Sequence, residues 1–222
     1  MKTISPTELI CMNDRCFGTP CRVESAYAQD HNLLFGERIY KVDALLCLHE
    51  TLAGVIIEAA SLCQKRYGLN MVLYDGLRTV EAQMRMIETK RVKDHPHWLE
   101  EPRLLSPPGA GGHPRGMAVD VGLETPEGIL VDMGTPFDFL AEDAGPKTNP
   151  AHRGYKRHHQ DIIQNREKLD SVMLGAAEKL GVPLLALPEE WWDFRLPASY
   201  YQQYMPLSER EVPERLRLLD TV

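Results

Sequence analysis

Gly112-His113-Pro114-Arg115-Gly116-Met117-Ala118-Val119-Asp120-Val121-Gly122-Leu123 is the stretch around which the rest of the chain can be ordered. A turn rich in glycine and proline runs into strict alternation, with Met117, Val119, Val121 and Leu123 on one face and Ala118, Asp120 and Gly122 on the other. This pattern predicts a strand whose bulky side packs on a core. Asp120 falls mid-strand on the opposite face, where an unpaired buried carboxylate is costly. It needs a cation, and His113 just upstream is placed to share one. A nitrogen and an oxygen donor together suit zinc. Spacing alone also admits a surface-loop histidine and a strand aspartate paired with an arginine.

Working outward, Met71-Val72-Leu73-Tyr74 reads as a second strand closed by an Asp75-Gly76 turn. Before it, Leu45, Leu48, Leu52, Val55, Ile56 and Leu62 form a helical stripe, with Asp43 as N-cap and Gly68 as stop. Another helix starts near Thr79 and carries Met84 and Ile87. Residues 94–112, rich in proline and glycine, read as a long loop of the kind that is often functional. After the central strand come a turn at Pro126-Glu127-Gly128, a short strand at Ile129-Leu130-Val131, and a helix from about Tyr155 to Leu180 ending at Gly181. Pro183 to Leu187 and Trp191 to Phe194 supply the last strands. Strands flanked by helices without βαβ regularity predict an α+β fold: a single domain over 1–222 with a central antiparallel sheet, an N-terminal extension at 1–26 and a C-terminal tail at 206–222.

A net charge of -7 argues against nucleic acid as a main partner. The basic run Arg153 to His159 reads as a solvated helix face. The opening residues Met1 to Pro6 lack a secretory apolar stretch, and no segment approaches the ~20 apolar residues that span a bilayer, so a cytoplasmic protein with no membrane partner is expected. Five cysteines cannot all pair. Cys47 and Cys63 read as buried small hydrophobes, and Cys11, Cys16 and Cys21, spaced evenly by five, as reduced thiols rather than zinc ligands.

Four segments, in order, carry a resemblance: Asp75-Gly76-Leu77-Arg78, the His113 to Asp120 stretch, Leu130 to Phe139, and Glu190-Trp191-Trp192-Asp193, with Asn165-Arg166 between the last two. Together they resemble the D-alanyl-D-alanine dipeptidases of the vancomycin-resistance type, from about Tyr27 to Phe194. The resemblance implies a metallodipeptidase, linked to peptidoglycan, that acts on D-Ala-D-Ala or a similar small dipeptide by metal-activated water. It implies one zinc ion on His113, Asp120 and Asp193. Asp193 stands where the family has histidine. Carboxylate is a competent zinc ligand at about 2.0–2.2 Å, but the shorter side chain and added charge would better tolerate manganese or another divalent ion. A second departure is Gly111-Gly112, where the family has serine before the histidine.

The same resemblance makes Glu190 the general acid/base, Arg78 the stabiliser of the oxyanion, Asp138 the anchor of the substrate's free amine and Tyr27 a substrate contact. Each position has a plainer reading as well. Glu189-Glu190 could be a solvated acidic turn, Arg78 a salt bridge to Asp75, and Asp138 a helix N-terminal carboxylate. The functional alternatives are a catalytically impaired relative that binds a peptide or amino acid, and a related peptidase with another cell-wall substrate. Composition does not set the oligomeric state.

Overall fold

The computed structural model describes residues 1–100 and 104–220. In chain order its strands and helices are β1 (Leu9–Cys11), α1 (Met12–Cys16), β2 (Cys21–Val23), β3 (Cys47–His49), α2 (Glu50–Tyr67), β4 (Asn70–Asp75), α3 (Val80–Ile87), α4 (Lys90–Lys93), β5 (Ala118–Glu124), α5 (Gln160–Leu180), β6 (Leu185–Ala186), β7 (Asp193–Arg195) and α6 (Ala198–Tyr201). The architecture is α+β, as the sequence predicts. The alternating stretch becomes β5, the middle of a sheet ordered β2-β4-β5-β7-β6. β2 and β4 run parallel, and the other pairings are antiparallel. β1 and β3 form a separate antiparallel pair.

Val119, Val121 and Leu123 pack into the main core with Leu52, Val55 and Ile56 of α2 and Leu169, Val172 and Met173 of α5. Full burial of such side chains stabilises by about 1.5–3 kcal/mol each, which is what holds two helices on one face of the sheet. The other face is left for short and polar residues. There Gly122 leaves room for the ring of Tyr74, whose hydroxyl would lie 2.7 Å from an added Cβ.

Several boundaries differ from the periodicity, each for a tertiary reason. The stripe beginning at Asp43 becomes helix only at Glu50, because Cys47–His49 is drawn into pairing with Leu9–Cys11. His49 then caps α2, its Nδ1 accepting from the Thr51 amide at 3.3 Å, and Gly68 ends it at φ 66°. The long helix starts at Gln160 rather than Tyr155, since the His158 ring meets the Pro150 carbonyl at 2.7 Å and holds the preceding residues irregular. Ile129–Val131 forms no strand: a lone bridge joins Glu124 to Leu130, and Ile129 and Leu130 are exposed. α3 is capped by Thr79 as expected, but buries Ala82, Gln83 and Met86 and leaves Met84 exposed. Asp75 ends β4 rather than opening a turn, and Gly76 is needed for close approach, since a Cβ there would lie 2.6 Å from the Cys47 carbonyl.

The expected extension is part of the body: β2 joins the main sheet, and Met12, Cys16 and Cys21 enter its core. The charged tail also packs, burying Leu207, Val212, Leu216 and Leu218. Cys47 and Cys63 are buried, although Cys47 sits in β3 rather than a helix. All five cysteines are free thiols.

Candidate active site

Sheet register assembles the centre. Asp120 in the middle of the sheet is paired with Asp75 on β4 and with Asp193 on β7. Between Leu73 and Asp75 the register slips, two residues of β4 opposing one of β5. This bulge turns Asp75 off the apolar face of Leu73 and sets it beside Asp120. His113 arrives from a 3₁₀ turn, His113–Arg115, closed by Gly116 at φ 61°. Its carbonyl accepts from the Arg78 amide at 3.0 Å, which ties the two motif loops together.

The His113 ring has a defined orientation. Nδ1 faces the Gly76 carbonyl at 2.8 Å, a partner that can only accept, so the proton belongs on Nδ1 and Nε2 carries the lone pair. Nε2 looks at Asp120 Oδ1 across 3.6 Å and at Asp193 Oδ2 across 3.5 Å. Donors about 2.0–2.1 Å from a tetrahedral ion sit about 3.3–3.4 Å apart, so this spacing fits a divalent metal. Asp120 Oδ1 is buried without a hydrogen-bond partner among the described residues. Burial, reinforced by the charge of Asp193, holds the Asp120 carboxyl well above the usual carboxylate range. A divalent ion would satisfy the orphaned oxygen and reverse that shift. The residues present therefore fit the metal.

Two features modify the ligand set expected from sequence. Asp75, His113 and Asp120 place donor atoms within 4.8 Å of one another, so Asp75 belongs to the cluster as well. Its oxygens are already engaged, Oδ1 by the Tyr40 hydroxyl at 3.0 Å and Oδ2 by Arg78 at 2.7 Å. Asp193 is gripped by Arg195, whose Nε donates to Oδ1 at 2.7 Å and whose Nη2 donates to Oδ2. Although burial pushes the Asp193 carboxyl up, Arg195 and His113 hold it below the usual range. A carboxylate oxygen has a lone pair to spare for an ion beside such a fork.

Arg78 lies in the same cavity. Besides Asp75 it reaches the Tyr27 hydroxyl at 3.2 Å, comes within 3.7 Å of Asp120, and stacks its guanidinium 5.0 Å over the Tyr27 ring. The Asp75 salt bridge and a place in the pocket thus coexist. Tyr27 donates to Asp138 Oδ2 at 2.9 Å. Asp138 has φ 62°, the only left-handed non-glycine among the described residues, a conformation that costs energy and concentrates at functional sites. No helix begins there. Burial pushes its carboxyl up to about 6. Phe137 packs behind the site, stacking on Tyr74 at 4.8 Å and meeting Trp192 edge-on, whereas Phe139 lines the cavity and is partly open to solvent.

Glu190 sits on the segment leading into β7. Burial, with the nearby Asp193 charge, pushes its carboxyl up to about 8. The segment is stapled by a residue that the basic-run reading assigned to a solvated helix. Arg153 is not helical, and its side chain is 13% exposed. It donates to the carbonyls of Leu187 (2.8 Å), Trp191 (2.8 Å) and Asp193 (3.1 Å) and pairs with Asp170. Asn149 adds a bond to the Glu189 carbonyl and Thr135 one to the Trp191 indole. Arg166 on α5 in turn binds the carbonyls of Met133, Pro150 and His152, fixing the loop that carries Asp138 and Arg153. The sequence reading missed both Arg153 and Arg195, because neither lies in a period that marks it.

Tyr27, Arg78, His113, Asp120, Asp138, Glu190, Asp193 and Arg195 line one cavity of ≈ 80 Å³, with Phe35, Leu104 and Leu105 as part of its wall. Two carboxyls raised by burial, a guanidinium and a metal-competent cluster thus face the same small space. Such a set suits hydrolysis of an amide bond in a short substrate.

Comparison with known proteins bears on this geometry. The family model described as D-ala-D-ala dipeptidase matches residues 12–210. The D-alanyl-D-alanine dipeptidase of Escherichia coli strain K12 is 28% identical over 184 residues, covering 80% of this chain and 81% of that protein. The crystal structure of the Serratia marcescens L-Ala D-Glu endopeptidase ChiX aligns at a TM-score of 0.38 with 15% identity, covering 69% of this chain and 84% of that one.

Proposed function

The chain belongs to the D-Ala-D-Ala dipeptidase family of peptidases, and from that premise we propose that it hydrolyses D-Ala-D-Ala or a similar small dipeptide by metal-dependent chemistry. One observation carries the proposal: His113 Nε2, the partnerless Asp120 Oδ1 and Asp193 Oδ2 face one another beside Glu190 in one cavity. A divalent ion held by His113, Asp120 and Asp193 would polarise the scissile carbonyl and lower the pKa of a water.

The protein's own groups supply the rest. Glu190, whose carboxyl burial and the Asp193 charge push up, would take a proton from the attacking water once a divalent ion beside it favours the carboxylate form, and would return it to the leaving amine. Arg78, steadied by Asp75 and Tyr27, presents its guanidinium to the carbonyl oxygen as negative charge grows there. Asp138 and Tyr27 hold the substrate's ammonium at the cavity end, away from β7. Burial of the site makes each of these interactions stronger than it would be in water.

Zinc is the ion proposed, with manganese as an alternative because two carboxylates harden the site. Placement in the cytoplasm and a small peptide partner complete the reading. No helix among the described residues is long and apolar enough to cross a membrane. The Arg195 grip on Asp193 favours one rival, a relative that binds a peptide without turnover. The test is hydrolysis of D,D-, L,D- and L,L-dipeptides after reconstitution with zinc or manganese, with metal content measured on the same sample. Stoichiometric metal and cleavage of a D,D-dipeptide support the proposal. Absence of metal from the reconstituted protein favours the rival.

A further inference from the structure

We infer that Arg195 binds the C-terminal carboxylate of the substrate, making the cavity a receptor for a zwitterionic dipeptide with both ends free. The inference rests on the dipeptidase reading and adds a residue to it. The cavity holds a continuous run of polar neighbours. Asp138 meets the Tyr27 hydroxyl at 2.9 Å, and that hydroxyl meets Arg78 at 3.2 Å. Arg78 lies 3.7 Å from Asp120, Asp120 faces His113 at 3.6 Å, and His113 faces Asp193 at 3.5 Å. Arg195 closes the run on Asp193. An anion thus stands at one end, a cation at the other, and the metal-competent cluster between them. A dipeptide has the same order: ammonium, scissile amide, carboxylate.

Charge makes the case stronger. Asp120, Asp138, Glu190 and Asp193 all line this cavity, so a free carboxylate entering it needs a cation at its own end. Arg78 stands between the Asp138 end and the cluster, beside the position of the amide. Arg195 spends Nε and Nη2 on Asp193, while its Nη1 donates to none of the described residues. Its side chain is 22% exposed, so a ligand can reach it. A guanidinium can serve two carboxylates through different edges of its fork.

The experiment compares D-Ala-D-Ala with its C-terminal amide on the metal-reconstituted protein. Wild type should show a KM about 10- to 100-fold higher for the amide, the size of one lost charge-assisted contact. Arg195→Met disturbs Asp193 for both substrates, so the readout is the ratio: the acid-over-amide preference in KM should collapse to within about threefold, the free acid losing more than the amide, whereas Arg195→Lys should keep part of the preference. Calorimetric binding of the same ligands to Glu190→Gln gives a readout without turnover. Equal handling of acid and amide by wild type, or equal damage to both by Arg195→Met, overturns the assignment and leaves the dipeptidase reading intact. Preferential acid binding without turnover by wild type sinks the dipeptidase reading and keeps the carboxylate site. Binding of neither ligand overturns both.

Discussion

Asp193→Asn separates the two jobs that Asp193 holds, since asparagine keeps the shape and removes the charge. In the metal-free protein the substitution strands Arg195, which loses its only ion pair among the described residues. Leaving a buried charge without its partner costs about 3–5 kcal/mol. The Arg195 side chain is 22% exposed, so water recovers part of this and a loss of ~2–3 kcal/mol is expected. At about 2–4 °C per kcal/mol for a chain of this size, Tm falls by ~4–12 °C. Metal reveals the second job. An ion present at a hundred times its Kd adds about 2.7 kcal/mol to wild type, or ~5–11 °C. The Asn variant should gain little of this, because a neutral amide replaces an anionic donor. The assay is thermal unfolding with and without zinc and manganese, with dialysis to count bound ions. Asp193→Asn combined with Arg195→Met should recover metal-free stability without recovering the metal-induced shift. An Asn variant that zinc stabilises as much as wild type would refute Asp193 as a ligand.

Glu190→Gln should lower turnover by about 10²–10⁴-fold with metal content unchanged, and near-normal turnover would remove the residue from proton transfer. Asp138 is charged only as pH rises through about 6, so KM for a free-amine dipeptide should fall across that range, and N-acetylation of the substrate should abolish cleavage. The sign for stability runs the other way. A carboxyl raised in the folded state contributes stability at low pH that is lost as pH rises through its folded value, so Asp138→Asn should exceed wild type in stability at pH 7 but not at pH 4, by urea unfolding. Arg153→Met removes the staple on Leu187, Trp191 and Asp193 and should cost about 3 kcal/mol together with a loss of turnover, whereas a stability change under ~0.5 kcal/mol would make the staple ornamental.

What the sequence determined by itself is what local chemistry can carry. Alternation from Met117 to Leu123 predicted the central strand and the side of it that faces the core. Gly68 and Gly181 marked two helix ends, because a left-handed residue without a Cβ is a local requirement. Motif order also picked out seven residues that line the cavity: Tyr27, Arg78, His113, Asp120, Asp138, Glu190 and Asp193.

Tertiary structure decided the rest, because each remaining feature depends on a partner far along the chain. The start of α2 was set by the pairing of β3 with β1, which outweighs a helical period in the same residues. The bulge before Asp75 and the register across β4, β5 and β7 bring three aspartates side by side, and no periodicity encodes a register slip. Arg153 looks like one charge in a basic run until the carbonyls of residues 187–193 close around it. Arg195 looks like the end of a strand until Asp193 and the cavity lie beside it. Periodicity and capping belong to neighbouring residues; hydrogen-bond acceptors and counter-charges reached through the fold do not, and they decide which charged side chains become parts of the site.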